Sequence, residues 1–571
     1  MQTLLRNWLM GATLILFASC NKSNTQGKYI PRDAAFVMEI NGKSLSSKLP
    51  WSEIKQNPLF KDAALDSTLP TAIKQALNNP DSAGIDIGSD MAFFVVKDSM
   101  GGYLAFEGNI KNEKLFKEFN SHFTDSAKPV EKDGLTFLSK PGLCVGYSKD
   151  KFLYIFDAPA MHNINDLTKR GQQDSINTPA TKKRDIVETC HGILLLDDDV
   201  SLARNEKFSK LMNESGDIHL WVNGESIMTG VAVNPMMAMI DLEKFYKGSI
   251  TTATVNFENG KININGKSYV GEDFAKIYKK YSGGKISEDM LKRVPGKDIA
   301  GVMVLNFNPE VIREFLKMMN LDGVANMGLT KLGFTLDDFI KGNKGDVLIG
   351  VSDLTFKTDS TKKDEDDKSK TTLKTTPIFK YVFAASIADK DAFNKLINVG
   401  KKMGAQQLGD SAKAPFVYKT DGNYFTIANN TENANQFLST TNNNIDFVNK
   451  INGQPFAAYL NIQSLLKSFE TQSAQDSSAK IAYDASLVLW DNVFMKGGEI
   501  NSEDAITQSV EINLMDKNTS SLKQLNIYAQ KLSAVYKNHR AKHDRKLTTF
   551  EQSMILADSA MKEANKPNKS K

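Results

Sequence analysis

The tetrapeptide Asn-Gly-Lys-Ser occurs twice, at Asn41–Ser44 and Asn265–Ser268, and its Gly-Lys-Ser could bind a phosphate group. A P-loop also has a glycine five residues before the Gly of that tripeptide, because backbone N–H groups must curl around the phosphates. Val37 and Lys261 stand at those positions. The sequence therefore argues against a nucleotide-binding site at either copy.

Cysteine offers a second kind of chemistry. Residues 142–146 read Gly-Leu-Cys-Val-Gly, the outline of a nucleophile elbow with Cys144 in the place of the nucleophile. Such an elbow joins a strand to a helix, whereas strand-like segments flank Cys144 on both sides, so we predict that Cys144 packs within a strand. Cys144 and Cys190 could form a disulfide in an oxidising compartment or pack as small apolar residues.

Two clusters could bind a metal ion. His539 and His543 are four residues apart on a predicted helix, but Arg540 stands where a zincin has Glu, and basic neighbours repel a cation. Residues 197–199 are three consecutive aspartates without the glycine turn of an EF-hand loop. We predict solvent-exposed charge at both clusters, with no metal and no cofactor.

The first residues carry an export signal. Arg6 precedes a short apolar run over 9–17, which is too short to span a membrane and predicts a signal peptide over residues 1–19. The following Phe-Ala-Ser-Cys resembles a bacterial lipobox, and this resemblance implies lipid on Cys20. Residues 20–28 are polar and predict a lipidated, flexible tether.

The charge of the chain bears on its partners. Loss of residues 1–19 removes Arg6 alone among charged residues, so the formal net charge falls from +4 to +3. So small a charge on so long a chain is not the footprint of nucleic-acid binding. We predict contact with the membrane through the lipid anchor, an envelope protein or a glycan as a further partner, and no nucleic-acid partner. The predicted location is the outer membrane, facing the periplasm, with surface exposure as the alternative.

Four features recur in the same order along the chain, which indicates an internal duplication. They are the segments 29–45 and 293–312, the segments 90–119 and 345–399, the Asp-Gly turns at 133–134 and 421–422, and the segments 205–227 and 444–466. We predict two tandem homologous α+β halves over residues 29–285 and 286–528, each an antiparallel sheet with helices packed on one face.

Two segments stand apart from the predicted halves. Residues 355–377 are rich in Lys, Asp and Thr, which predicts a charged, flexible insertion. Residues 529–571 are predicted to form C-terminal helices and a disordered basic tail.

An asparagine ends four predicted strands, at Asn41, Asn223, Asn306 and Asn461. Apolar residues lead up to each asparagine at alternating positions: Ile40 and Met38, Val222 and Leu220, Leu305 and Met303, Leu460 and Ala458. Alternate residues of a strand share a face, so we predict that this stripe faces the core. We predict that the asparagine is a joint between a core strand and the following helix.

Asp-Ser pairs followed by a small residue, an aliphatic residue or Thr resemble the O-glycosylation sequon of exported Bacteroidota proteins. The candidate serines are Ser67, Ser82, Ser99, Ser126, Ser175, Ser360, Ser411 and Ser559. Asp and Ser also favour turns, so turn chemistry is the alternative explanation of the same pattern.

The lipobox and tether, with residues 29–51 (YIPRDAAFVMEINGKSLSSKLPW) and 84–90 (GIDIGSD), resemble a family of Bacteroidota lipoproteins known as a domain of unknown function. The resemblance covers most of the chain after the signal peptide. It implies lineage and export, and it brings no catalytic or binding residue with it.

The sequence therefore predicts a lipid-anchored cell-envelope protein with a non-catalytic binding or scaffolding role. A concave surface or the cleft between the halves is the expected contact region. The alternative is an envelope hydrolase whose site is assembled from residues that are distant in sequence.

Overall fold

In a computed structural model, the chain folds around a large antiparallel sheet of eighteen strands with helices, a mixed α and β architecture. The structure describes residues 26–65, 71–158, 183–228, 243–362, 371–408, 416–439, 447–474, 476–533 and 535. The signal peptide, Cys20, His539 and His543 lie outside these residues.

Along the described chain, groups of one to four strands are separated by helices. Strands β1 to β10 are Phe36–Ile40, Met91–Val96, Tyr103–Asn109, Val130–Lys132, Leu135–Lys140, Leu143–Tyr147, Lys151–Asp157, Ile218–Asn223, Ile250–Glu258 and Lys261–Tyr269. Strands β11 to β18 are Ile299–Asn306, Asn343–Lys362, Thr371–Ile387, Val417–Thr420, Tyr424–Ala428, Phe456–Asn461, Trp490–Ile500 and Ile506–Leu514.

Most helices are short and connect one strand to the next. Helices α1 to α10 are Gly42–Lys48, Trp51–Ile54, Pro58–Leu65, Thr71–Asn78, Glu113–Phe123, Ile186–Leu194, Glu206–Met212, Gly224–Met228, Glu243–Tyr246 and Glu272–Tyr281. Helices α11 to α20 are Glu288–Leu291, Glu310–Met318, Asp322–Leu332, Leu336–Gly342, Lys390–Leu408, Thr431–Leu438, Val448–Ile451, Ile462–Ser468, Glu470–Ser473 and Ser477–Leu489, and helix α21 spans 521–533. Short 3₁₀ turns lie at Pro80–Ala83, Asp198–Val200 and Leu202–Arg204.

The strand pairings define one order from edge to edge. It runs β14, β15, β13, β12, β11, β16, β17, β18, β10, β9, β8, β1, β2, β3, β7, β6, β5, β4, and every neighbouring pair is antiparallel. The prediction of a separate sheet in each half is therefore wrong, because the strands form one continuous sheet. Strands β10 and β18 pair from Lys261 with Asn513 to Ser268 with Ile506, and this ladder joins the two sheets.

The pairing is equivalent on the two sides of the central β10–β18 ladder. Ile40 pairs with Ile218 between β1 and β8, as Leu305 pairs with Phe456 between β11 and β16. The strand pair β9–β10 likewise corresponds to the pair β17–β18. In this correspondence, Ser268 is equivalent to Ile512 and Ile262 is equivalent to Ile506.

The central ladder fits this alignment. It pairs Ile262 with Ile512 and Ser268 with Ile506. If each residue is exchanged for its equivalent, the first pair becomes the second, so the ladder is symmetric. The register thus relates positions in the strands on one side of this ladder to positions on the other side.

The two Asp-Gly turns are an exception to this equivalence. The turn at Asp133 joins β4 to β5 at the outer edge of the sheet, whereas the turn at Asp421 joins β14 to β15, next to β13. The counterpart of β15 is β7, because β7 pairs with β3 as β15 pairs with β13. The matched turns therefore lie at different places, since the first half has two more strands at its edge.

One face of the sheet packs against helices and forms most of the core. The opposite face of β6 and β7 packs against Phe116 of α5 in a third buried cluster. Val37, Phe94 and Trp221 belong to one buried cluster, and Val302 and Val304 belong to another. The predicted core stripe lies on the opposite face, so its assignment to the core is wrong. Large apolar side chains on that face of β11, β12, β16 and β17 are 40% to 46% exposed: Met303, Leu305, Ile349, Leu460 and Met495. The error arose because both faces of these strands are apolar.

Residues 355–362 and 371–377, the described parts of the segment predicted as a charged insertion, belong to a long β-ladder. Strands β12 and β13 pair from Thr355 with Ile378 to Lys362 with Thr371, beyond a register shift after Ser352.

Asparagine caps begin three of the helices that follow core strands. The side-chain oxygens of Asn41, Asn223 and Asn461 accept hydrogen bonds from the backbone N–H three residues later, at 2.9, 3.1 and 2.9 Å. Asn306 differs, because its amide donates to the Asp346 carboxylate and Asn308 accepts from the Glu310 N–H. The repeated joint is thus a helix cap and not a phosphate loop.

Replacing Asn461 with alanine should lower the free energy of unfolding by about 1 kcal/mol, because the cap of α18 loses its acceptor. Urea unfolding of Asn461→Ala and Asn461→Asp beside the wild type measures this. The aspartate variant should retain most of the stability, and an alanine variant as stable as the wild type would contradict the capping role.

Candidate functional site

Two adjoining cavities open where β1 and β2 meet the start of α1. The larger has a volume of about 510 Å³ and the smaller about 320 Å³. Both are lined by Gln26, Glu39, Asn41 and Asp90. The larger, which we call the carboxyl cavity, adds Glu107 and Lys151 among other residues.

A row of paired residues forms the floor of the carboxyl cavity. Glu39 on β1 is the partner of Ala92 on β2, and Ala92 is the partner of Glu107 on β3. On the other side of β1, His219 on β8 is the partner of Glu39. Directly paired residues of an antiparallel sheet point to the same face, so this row lies on the face that carries the core.

Glu39 is buried without a complete set of partners. It is 5% exposed, and its Oε2 atom is buried and has no hydrogen-bond partner. Burial, with smaller contributions from the charges of Asp90 and Glu107, raises the pKa of Glu39 to about 8. A buried carboxyl group with an unsatisfied oxygen is costly for a fold, so its presence requires an explanation.

Glu107 lies on the other side of Ala92 and is partly buried. Burial raises the pKa of Glu107 to about 7, and the charge of Lys151 opposes this shift. Asp90 accepts a hydrogen bond from the Gln26 amide at 2.8 Å. Three carboxyl groups thus converge on a cavity to which Lys43 and Lys151 bring positive charge.

The smaller cavity is built around Asp217, whose side chain is 1% exposed. Its carboxylate accepts hydrogen bonds from the Lys48 ammonium at 2.5 and 2.7 Å, from the Ser44 hydroxyl at 2.5 Å and from the Phe257 N–H at 2.6 Å. His219 also lines this cavity, and its Nε2 donates to the Glu214 carbonyl oxygen at 2.9 Å.

The serine–aspartate contact occurs a second time in the sheet. Ser464 on α18 donates to the Asp298 carboxylate at 2.7 Å, as Ser44 on α1 donates to Asp217. In both cases the serine follows a capping asparagine and the aspartate lies next to the start of the neighbouring strand. This contact therefore joins a helix to the sheet and has a structural role.

The floor of the carboxyl cavity has an apolar counterpart across the central ladder. The strand register places Val304, Leu348 and Ala384 at the positions that correspond to Glu39, Ala92 and Glu107. Ala457 corresponds to His219. All four are between 0% and 1% exposed and belong to the core of the second half. The same fold therefore accommodates a wholly apolar row at this place.

The cysteines are part of the core. Cys144 lies in β6 and Cys190 in α6, and both are buried, free thiols. A hydrogen bond between the two thiols and burial raise the pKa of Cys190. Cys144 lies between two paired strands, so the nucleophile-elbow geometry is not formed.

Other candidate residues lie apart from the cavities. The second Asn-Gly-Lys-Ser lies within strand β10. Asp198 pairs with Lys28, and Asp199 with Arg204, in an exposed turn. Within the described ranges, no cluster of three or more His, Cys, Asp or Glu has metal-binding geometry.

The candidate glycosylation serines are scattered over the molecule. Ser99 and Ser126 are exposed, whereas Ser82 is half-buried and donates its hydroxyl to the Asn79 carbonyl oxygen. Ser360 lies in the outer part of β12. The structure does not describe Ser67, Ser175, Ser411 and Ser559.

The fold and the cavities define a class: a mixed α and β protein with a large antiparallel sheet that carries a polar cavity beside its core. A family described as a domain of unknown function (DUF4836) matches residues 27–452, and the chain belongs to this family. No curated protein matches the chain.

Two solved structures show a limited similarity. The structure of crystal form IV of TP0453 has 8% identity and a TM-score of 0.25, covering 47% of this chain and 90% of that chain. Crystal form I of TP0453 has 9% identity and a TM-score of 0.24, covering 43% of this chain and 78% of that chain. Among the described helices, none has the length and apolar character needed to cross a membrane.

Proposed function

We propose that this chain is a lipid-anchored cell-envelope protein with a non-catalytic binding role, and that its ligand binds in the carboxyl cavity. The observation that carries the proposal is the difference between two equivalent rows of the sheet. Glu39, Ala92 and Glu107 stand where the other side of the sheet has the buried Val304, Leu348 and Ala384.

The energetics favour a functional explanation for this difference. A carboxyl group in a core without full pairing destabilises the fold, whereas the apolar row stabilises its half by burial. Residues that oppose local packing rules are typical of functional sites. Ala92 occupies the position equivalent to that of the larger Leu348. Its small side chain leaves room above the cavity floor between the two glutamates. A ligand that satisfies the Glu39 Oε2 atom accounts for both changes.

We also propose that the two sides of the sheet are homologous halves over residues 29–285 and 286–528. Supporting this are the equivalent registers of β1–β8 and β11–β16 and the exchange symmetry of the β10–β18 ladder. In this proposal one half provides the binding cavity and the other keeps an apolar core. The ligand-binding change is then a specialisation of one copy.

The rival hypothesis, an envelope hydrolase, needs a nucleophile beside a base that can accept its proton. The Ser44 hydroxyl contacts the Asp217 carboxylate, which also accepts hydrogen bonds from Lys48 and the Phe257 N–H. The Asp217 carboxylate is thus already engaged by an ammonium group and a backbone donor besides the Ser44 hydroxyl, as in a structural contact. The Ser464–Asp298 contact supports a structural role for the pair.

Native mass spectrometry tests the binding role. Purified protein is incubated with a small-molecule extract of the native host's envelope and then freed of unbound compounds. We expect an adduct on the wild type that is absent from Glu39→Val, while Glu118→Gln, on the exposed surface of α5, keeps it. The absence of any adduct from the wild type, or an equal adduct on Glu39→Val, would contradict the proposed role.

The envelope location rests on the sequence of residues 1–20, and the intact mass of protein from the native host tests it. We propose lipid on Cys20 and a glycan on at least one of the candidate serines.

The wild type should be heavier than the bare chain, and Cys20→Ala should lose the mass of the acyl chains. Equal labelling of both proteins by radioactive palmitate would contradict the anchor, and the mass of the bare lipidated chain would contradict the glycan.

A further inference from the structure

We infer that the ligand of the carboxyl cavity is an organic cation, an ammonium or guanidinium compound that contacts Glu39 and Glu107 across Ala92. This inference rests on the binding role proposed above, because it names the chemical class of ligand for the same cavity.

The spacing of the two glutamates suits an extended cation. Glu39 and Glu107 lie on β1 and β3, with β2 between them, and neighbouring strands are about 4.8 Å apart. Their Cα atoms are therefore about 10 Å apart. An organic cation several ångströms long can contact both carboxyl groups above the Ala92 methyl.

The hydrogen-bonding character of the cavity fits the same class. Ammonium and guanidinium groups carry only donors, and ionised carboxylates carry only acceptors. The unpaired Oε2 of Glu39 is such an acceptor, and it is buried at the cavity wall. Among the described residues, neither Glu39 nor Glu107 forms an ion pair within the protein. Asn41 and Asn109 also line the cavity.

Charge in the cavity also favours a cation over an anion. The charged groups near Glu39 are Asp90 before β2, Glu107 on β3, Lys151 on β7, Lys43 and Lys48 on α1, and Glu214 and Asp217 before β8, with His219 beside it on β8. Lys48 is already paired with Asp217, and these two charges compensate each other. Glu214 is likewise paired with Lys267, at 2.7 Å. Once Glu39 and Glu107 ionise, they and Asp90 outnumber Lys43 and Lys151.

Cation binding should be linked to the release of protons. The pKa of Glu39 is raised to about 8 and that of Glu107 to about 7, so an incoming cation must displace protons near neutral pH. Affinity should therefore increase as the pH rises and Glu39 ionises. Ionisation of Glu39 alone should raise the apparent affinity roughly 50-fold from pH 6 to pH 8, and ionisation of Glu107 should raise it further.

Isothermal titration calorimetry with matched four-carbon probes tests the inference on the full protein. 1,4-Diaminobutane should bind, and butane-1,4-diol and succinate should not, because only the diamine is a cation. Its binding should weaken at least ~10-fold in Glu39→Gln and should be unchanged in Glu118→Gln. Titrations in buffers of different ionisation enthalpy at pH 7 should detect the released proton.

Several results would overturn the inference. These are binding of the diol or succinate as tightly as the diamine, diamine binding that is unchanged in Glu39→Gln, Ca²⁺ binding that requires Glu39, or no binding of any probe. If no probe binds but the envelope extract still gives a Glu39-dependent adduct, the cation class is wrong and the binding role stands. If both experiments give nothing, both proposals fail.

Discussion

Glu39→Val should be more stable than the wild type at pH 9, by on the order of 4 kcal/mol. The substitution installs the residue found at the equivalent position across the central ladder, Val304, which is 1% exposed. It removes a carboxyl group that is ionised at that pH and 95% buried, with one oxygen unpaired. A gain of this size from one substitution in a core is unusual, because most core substitutions destabilise.

The effect should depend on pH in one direction. The pKa of Glu39 is raised from 4.5 to about 8 by folding, so the folded state binds its proton more tightly than the unfolded state. Its contribution to stability is fully present below about pH 4.5 and is lost as the pH rises through about 8. Wild-type stability should therefore decline over this interval, and the decline should be smaller in Glu39→Val.

Urea unfolding at several values between pH 5 and pH 9 measures the effect. Glu39→Gln removes the charge and keeps the shape, so it should also reduce the slope, with a smaller gain in stability. Glu118→Gln should follow the wild type at every pH. Equal pH slopes in the wild type and both Glu39 variants would show that this carboxyl does not bear the penalty described above.

Arg184→Ala should lower the free energy of unfolding by about 3 to 5 kcal/mol. The Arg184 side chain is 2% exposed and donates to both oxygens of Asp98 at 2.7 and 2.8 Å, and to Asp157 at 2.9 Å. Its guanidinium also lies 5.0 Å from the centre of the Tyr103 ring. Alanine would leave two partly buried carboxylates without their common cation, and that loss dominates the expected cost.

A lysine variant separates charge from geometry at this position. Arg184→Lys keeps the charge but cannot form the paired hydrogen bonds with Asp98, so it should recover only part of the lost stability. Thermal unfolding of the three proteins at pH 7 gives the order wild type, Arg184→Lys, Arg184→Ala. An alanine variant within about 1 kcal/mol of the wild type would mean that solvent replaces the guanidinium.

Local sequence patterns predicted the joints of the fold well. The asparagines at 41, 223 and 461 are helix caps because an asparagine that follows an apolar strand has few other ways to satisfy the next backbone N–H groups. The pairing of Ile40 with Ile218 and of Leu305 with Phe456 agrees with the alignment made from those asparagines. The pairing of β10 with β18 could not be predicted, because no local sequence pattern determines which edge strands pair with each other.

The site was missed because the face of each strand was assigned wrongly. The segment Phe36–Ile40 is apolar on both faces, with Met38 and Ile40 on one and Val37 on the other. With Met38 assigned to the core, strand alternation assigns Glu39 to the solvent-facing side. Burial of Glu39 follows from which face the helices cover, and that depends on contacts distant in sequence. A glutamate within an otherwise apolar strand, next to a capping joint, was the available signal.

The most direct test of the central claim is a crystal structure of the protein grown with 1,4-diaminobutane. The account predicts an ammonium group within hydrogen-bonding distance of the Glu39 carboxylate, with the chain of the diamine over Ala92 towards Glu107. The apolar row at Val304 should remain without ligand in the same crystal. A diamine bound elsewhere, with the Glu39 carboxyl group contacting protein alone, would contradict the claim that this cavity is the binding site for a cation.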